Sequence, residues 1–288
     1  MQRTGTPANG PRLVPPERSE VKSDLSPAQL RLLEQVHQAL DAGDDRRARH
    51  LLKKVDGRKP HPAAAFARWR ALSLAEDLGP ALAAAKRAVA SFPEEPDLQH
   101  ALGWTLLQEQ QWDEAIAHLE EACYLDADFA DAWYDLALGR EATGDLAGMK
   151  QAFAEVHELD GLDETPPRFS EQQVMTWAEA ALAELPAPIR EAIVDLPIFV
   201  QDLPDAWIVE DAPWDPRLLG LFDGPTLADL RSGEVAGHSP HIYLYRTNLE
   251  RVCPDAREMK QQVRITLHHE VLHFLGLDED EVDDRGLA

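Results

Sequence analysis

Between about Leu25 and Asp160 the chain is organised by a step of 34 residues, and a step of that size leaves few folds open. Successive units run from Pro62 to Glu95, from Pro96 to Phe129 and from Ala130 to about Gly161, and a weaker unit spans Gln29 to His61. The weak unit and the last one share a Gly-Asp turn, Gly43-Asp44 and Gly144-Asp145. A unit this short cannot enclose a core of its own. It buries its apolar face against the next unit, so three good units and one degenerate one make a stack held by nearest-neighbour interfaces. Ser26-Pro27 supplies a hydroxyl cap followed by proline, which marks the start of the first helix.

In the Pro96 unit, Leu102, Gly103, Trp112, Ala115, Leu119 and Ala122 occupy small or bulky apolar packing positions. The next unit offers Trp133, Leu136, Ala137, Phe153 and Val156, and the preceding one Ala81, Ala88 and a closing Pro93. These residues resemble the tetratricopeptide (TPR) pattern, a helix-turn-helix repeat, over nearly half of the chain. The resemblance implies an all-α array with a concave groove along its first helices, and a peptide or protein partner in that groove. The groove positions it picks out are Asp97, His100, Trp104, Asp131 and Tyr134. None is a lysine, so a clamp for a terminal carboxylate is not suggested.

A second feature carries chemistry. His269-Glu270-Val271-Leu272-His273 places two imidazoles four residues apart, one turn apart on the same face of a helix, where both can aim at one metal ion. Glu270 stands beside the water to be activated and fits a general base that takes a proton and delivers it to the leaving amine. From about Asp255 to Leu275 there is no Pro or Gly. Val263, Leu267, Val271 and Phe274 form an apolar stripe, while Gln262, Thr266, His269 and His273 form another on roughly the opposite side. Gly276 is placed to end the helix in a left-handed turn. Three residues further on, Glu279 is the leading third metal ligand, with Asp278 and Asp280 as rivals in a stretch of six acidic residues. His268 reads as a packing or hydrogen-bonding neighbour.

HEVLHFLGLDEDE, with the upstream PHIYLYRTNLERVC, resembles the bacterial minimal zincin-like metallopeptidase family, HExxHxxGxx[DE], from roughly Phe169 onward. The resemblance implies a small α/β (α+β) zincin domain with Zn2+ on His269, His273 and Glu279 and with Glu270 as base; the family carries Asp where Glu279 stands. In zincins a strand beside the active-site helix takes up the substrate backbone, and Pro240 to Arg246 is the segment that fits this role here. A bacterial endoribonuclease family of ribosomal-RNA maturation carries a similar motif, but with Gly at the position of Glu270 and His at that of Glu279. Charge separates the two readings as well. With 52 acidic and 28 basic residues the chain has a net charge of −24, whereas a nucleic-acid enzyme needs cationic surface. An anionic membrane surface is disfavoured for the same reason, and a cationic peptide or protein favoured.

The remaining segments fill in a multidomain plan. Residues 1–24 read as a disordered tail, 25–161 as TPR-like repeats and 162–288 as the zincin-like domain, with Gly161 to Pro167 as linker. Ser170-x-x-Gln173 forms a capping box at the start of the second domain. A strand is expected around Pro197 to Gln201, and Asp211 to Gly237 as a long loop or surface insertion. Cys123 and Cys253 form no CxxC pair and read as packed thiols of a reducing cytoplasm, and neither a signal peptide nor a membrane span is apparent. The expected function is that of a cytoplasmic zinc metallopeptidase whose repeats recruit substrate or partner. Its alternative is a non-catalytic adaptor with a structural or vestigial metal site, which would have no need of Glu270.

Overall fold

The computed structural model describes residues 25–55, 61–75, 78–210, 214–232 and 239–277. The expected tail 1–24 and Asp278, Glu279 and Asp280 lie outside the described residues. Mostly helical TPR-like repeats are followed by a small region with a three-stranded sheet. The described residues divide into two compact units, one drawn from 25–163 with 209, 210 and 214, and the other from 164–208, 215–232 and 239–277.

The first unit consists of four helix pairs: α1 (Pro27–Asp41) with α2 (Asp45–Val55), α3 (Pro62–Ser73) with α4 (Leu78–Ser91), α5 (Pro96–Gln108) with α6 (Trp112–Leu125), and α7 (Ala130–Thr143) with α8 (Leu146–Leu162). Helix starts at Pro62, Pro96 and Ala130, and again at Leu78, Trp112 and Leu146, keep the 34-residue step. Ser26 caps α1 in a reciprocal box with Gln29. Gly43 and Gly144 occupy equivalent left-handed turns, with φ of 71° and 79°. Where α5 crosses α6, a Cβ on Gly103 would stand 2.6 Å from Leu119 Cγ and 3.2 Å from the Ala115 carbonyl, so only glycine lets the two helices approach this closely. α8 runs through Gly161 and Leu162, two residues into the expected linker, because neither residue breaks its hydrogen bonding.

Two buried polar ties cross between repeats. Trp69 Nε1 donates to Thr105 Oγ1 at 2.8 Å, and His100 Nε2 lies 2.7 Å from Asp135 Oδ2. His100 is fully buried, with the Phe129 ring 4.7 Å away. It therefore belongs to the core of the stack rather than to its groove, while Asp97, Trp104, Asp131 and Tyr134 are half-buried. Burial pushes the Cys123 thiol up to about 12.

In the second unit, α9 (Glu171–Glu184) starts at a Ser170/Gln173 capping box. It is followed by α10 (Ala187–Ala192), β1 (Ile198–Gln201), α11 (Trp207–Glu210), of which only Trp207 and Ile208 belong to this unit, β2 (Gly220–Asp223), α12 (Leu227–Ser232), β3 (His241–Tyr245), α13 (Arg246–Val252) and α14 (Ala256–Phe274). The strand order is β1-β3-β2, with β1 parallel and β2 antiparallel to β3. Ile242 and Leu244 point into a core with Val174, Ala178 and Ala181 of α9 and Val263, Leu267, Val271 and Phe274 of α14. The opposite face of the sheet carries the aromatic row His241, Tyr243 and Tyr245. The expectation of a long loop over Asp211 to Gly237 is corrected. Gly220–Asp223 pairs as β2 with β3, and α12 follows, while 211–213 and 233–238 lie outside the described residues.

Candidate metal centre and its neighbourhood

The site is built on α14. Asp255 caps its first turn by accepting from the backbone N–H groups of Arg257 and Glu258, and nineteen residues without Pro or Gly carry the helix to Phe274. Gly276 then turns the chain at φ 95°. The apolar stripe is buried against the sheet and α9, which fixes the rotation of the helix about its axis.

That rotation brings the imidazoles of His269 and His273 together, with their Nε2 atoms 2.9 Å apart and their rings at 81°. His273 Nδ1 lies 3.0 Å from the Leu277 carbonyl, which can only accept, so Nδ1 carries the proton and Nε2 presents a lone pair. Metal-binding histidines commonly give their other ring N–H to a carbonyl in this way, which fixes the tautomer and the direction of the ring. Two nitrogens on one tetrahedral zinc stand about 3.3 Å apart at Zn–N distances near 2.05 Å, so a shift of a few tenths of an ångström fits the pair to the ion. Among the described residues no set of three donors is assembled. Glu279, the expected third ligand, lies outside them.

Glu270 is 6 % exposed, and its Oε2 accepts the backbone N–H of Phe222 at 2.8 Å. In the β2–β3 ladder the Leu219 carbonyl turns toward β3, where it accepts from Tyr245 N–H at 2.9 Å. Two-residue alternation then directs the Phe222 N–H away from β3, along the outer edge of β2. The sheet thus hands one edge N–H to the carboxylate next to the histidine pair. Gly220 makes this approach sterically feasible, since a Cβ there would lie 2.6 Å from Thr266 Cγ2 and 3.1 Å from the Tyr243 carbonyl. Asn248, buried in α13, holds the approach to β2 through Nδ2, which donates to the carbonyls of Pro216 and Leu218 at 3.0 and 2.9 Å.

The expected substrate strand, Pro240 to Arg246, is corrected by this arrangement. β3 is the middle strand and both its edges are paired, so it has no ladder to offer. β2 is the strand whose edge lies beside Glu270. His268 packs away from the histidine pair, with Nε2 2.9 Å from the Ala181 carbonyl. Sequence reasoning missed Gly220, Phe222 and Asn248. A signal for β2 existed in the apolar run ending at Asp223-Gly224, whereas Asn248 offered none.

Residues 193–287 match the family of zincin-like metallopeptidases. This zincin-like region contains His269, Glu270, His273 and Glu279. Residues 103–144 match the TPR repeat. No curated protein matches the chain. Among solved structures it is similar to MamA (41-end) from Desulfovibrio magneticus RS-1, at 16 % identity over 59 % of this chain and 91 % of that one, with a TM-score of 0.42. A tetratricopeptide repeat protein from Parabacteroides merdae is similar at 12 % identity, over 90 % of this chain and 97 % of that one, with a TM-score of 0.41. Among the described residues no helix is long and apolar enough to cross a membrane.

Proposed function

We propose that the chain is a zinc-dependent metallopeptidase, with residues 162–288 as the hydrolytic domain and the repeats of 25–161 recruiting a protein substrate or partner. The observation that carries this reading is the buried Glu270 carboxylate, held by an edge-strand N–H beside two converging imidazole nitrogens. A structural zinc site needs the imidazoles but has no use for that carboxylate.

His269 and His273 would hold the metal, with Glu279 as third ligand. Zinc bound there supplies Lewis acidity toward a water and the scissile carbonyl. Glu270 takes the proton of the attacking water and passes it to the leaving amine. The Phe222 N–H keeps one oxygen of Glu270 fixed and leaves the other to the proton. The outer edge of β2 orients an extended substrate backbone next to this carboxylate, a β-strand addition in which main-chain hydrogen bonds provide the grip. The half-buried Asp97 and Asp131, with Trp104 and Tyr134, suit a cationic peptide in the repeat groove. Buried thiols at Cys123 and Cys253 fit a reducing cytoplasm.

The test is metal analysis of protein purified without added zinc, together with hydrolysis of a broad peptide library by wild type and Glu270→Gln. Near-stoichiometric zinc with turnover lost at least a hundredfold in the variant is expected. Absence of zinc sinks the reading, and zinc without turnover in the wild type favours the adaptor. Glu279→Ala should weaken zinc binding at least tenfold, and an unchanged affinity would move the third ligand to Asp278 or Asp280.

A further inference from the structure

α14 carries a basic stripe on another side. Arg257, Lys260 and Arg264 recur at helical spacings of three and four and so share one face. At 3.6 residues per turn that face lies roughly 150° around the helix from His269 and His273. It forms one wall of a groove of about 240 Å³ against α9, whose side supplies Trp177, Ala181 and Glu184. The wall is preformed: His268 Nε2 ties α14 to the Ala181 carbonyl at 2.9 Å, and Trp177 is braced by Phe169 at 5.3 Å.

Three observations set this groove apart. The chain carries almost two acidic residues for each basic one, yet here three cations gather around a single carboxylate, Glu184. Among the described residues the side chains of Arg257, Lys260 and Arg264 make neither an ion pair nor a hydrogen bond, while arginines elsewhere in this unit, such as Arg168 and Arg246, are engaged by Glu250 and Asp202. Finally, a half-buried Trp177 lies beside them. Tryptophan and arginine are the residues that dominate binding energy at protein interfaces.

We propose that the α9–α14 groove docks an extended acidic peptide segment of a partner protein. Arg257 and Arg264 are about 10 Å apart along the helix axis, and a chain extended in the polyproline II form, with three residues per turn, covers about 9 Å in three residues and keeps side chains three apart on one face. The matching segment has carboxylates three residues apart for the two guanidinium groups, with Lys260 between them, and an apolar side chain that lies on Trp177. Guanidinium groups bind carboxylates in a two-pronged geometry, and this sets the spacing. A polynucleotide is disfavoured, because three cations neutralise too few phosphates to offset a chain at −24. The site acts independently of whether the metal face hydrolyses peptide bonds.

Fluorescence anisotropy of a labelled peptide carrying two Glu three residues apart around a Leu, titrated with the full chain, tests the proposal. Saturable binding is expected, weakened at least tenfold by Arg257→Glu/Lys260→Glu/Arg264→Glu and strengthened by Glu184→Gln. Replacing the peptide Leu by Ser should weaken binding severalfold. Thermal melts establish that the triple variant is folded, and Lys260→Glu alone, expected to weaken binding about threefold, serves if it is not. Absence of binding to the wild type, or equal binding by the charge-reversed variant, would overturn the proposal. So would equal affinity for a peptide with adjacent Glu residues, or for a single-stranded oligonucleotide of the same charge.

Discussion

Gly220 shows how one missing side chain positions a carboxylate. With only hydrogen at this position, β2 lies against Thr266 and Glu270 closely enough for the Phe222 N–H to reach Glu270 Oε2. A methyl group would meet Thr266 Cγ2 at 2.6 Å and the Tyr243 carbonyl at 3.1 Å, and a backbone carbonyl inside a ladder has little room to move. Gly220→Ala should therefore destabilise the protein by about 1–3 kcal/mol, the usual cost of overpacking a dense site, and lower turnover if Glu270 is the base. Urea unfolding measures the first effect and peptide hydrolysis the second; full stability in the variant would mean that β2 shifts without penalty. Other residue roles were open to reading from the chain itself. The pair His269 and His273 is local, because four residues make a helical turn wherever the helix lies. His100 was not legible in this way, since its fit to a groove position says nothing of Asp135, thirty-five residues away, which draws it into the core.

At the scale of elements, legibility follows sequence separation. The helix pairs repeat locally, so their starts could be counted, and both capping boxes lie within four residues. β2 is four residues long and takes its meaning from β3, about twenty residues later, and from Asn248 beyond that. The central place of β3 likewise depends on β1 and β2, which both precede it in sequence and flank it only in space. Asn248→Ala leaves the carbonyls of Pro216 and Leu218 without their buried donor and should cost about 1–3 kcal/mol, with faster amide exchange at Leu219 to Phe222. Unchanged exchange there would show that β2 is held by pairing alone. In the repeats, burial holds His37 of α1 and His118 of α6 below the ordinary histidine range, helped by Arg70 and Lys86 and opposed by Asp41 and Glu114. The unfolded chain then binds more protons than the folded one once the pH falls below about 6.5, so stability drops with acidification. The melting temperature should fall between pH 7.5 and 5.5, and His37→Gln/His118→Gln should reduce that fall. An equal fall in wild type and variant would assign it to the carboxylates.

On the scale of the whole molecule, the two units have separate means of stability. Among the described residues, the core around α14 draws its buried members from Val174 to Phe274, all of them in the second unit. The cluster at the start of the array is likewise closed, running from Leu33 to Ala71. Contacts inside a core decide folding, and a unit that completes its own core can fold alone. Residues 164–288 expressed without the repeats should therefore fold with a cooperative melt and keep the affinity of the full chain for zinc. If the repeats recruit substrate, the fragment should also cleave short peptides within a few-fold of the full chain but lose at least tenfold in kcat/KM toward a protein substrate, because recruitment acts by raising local concentration rather than by altering the chemical step. An equal loss on both substrate types would place the repeats in the catalytic step itself, and a fragment that aggregates would show that the second unit depends on the first for its fold.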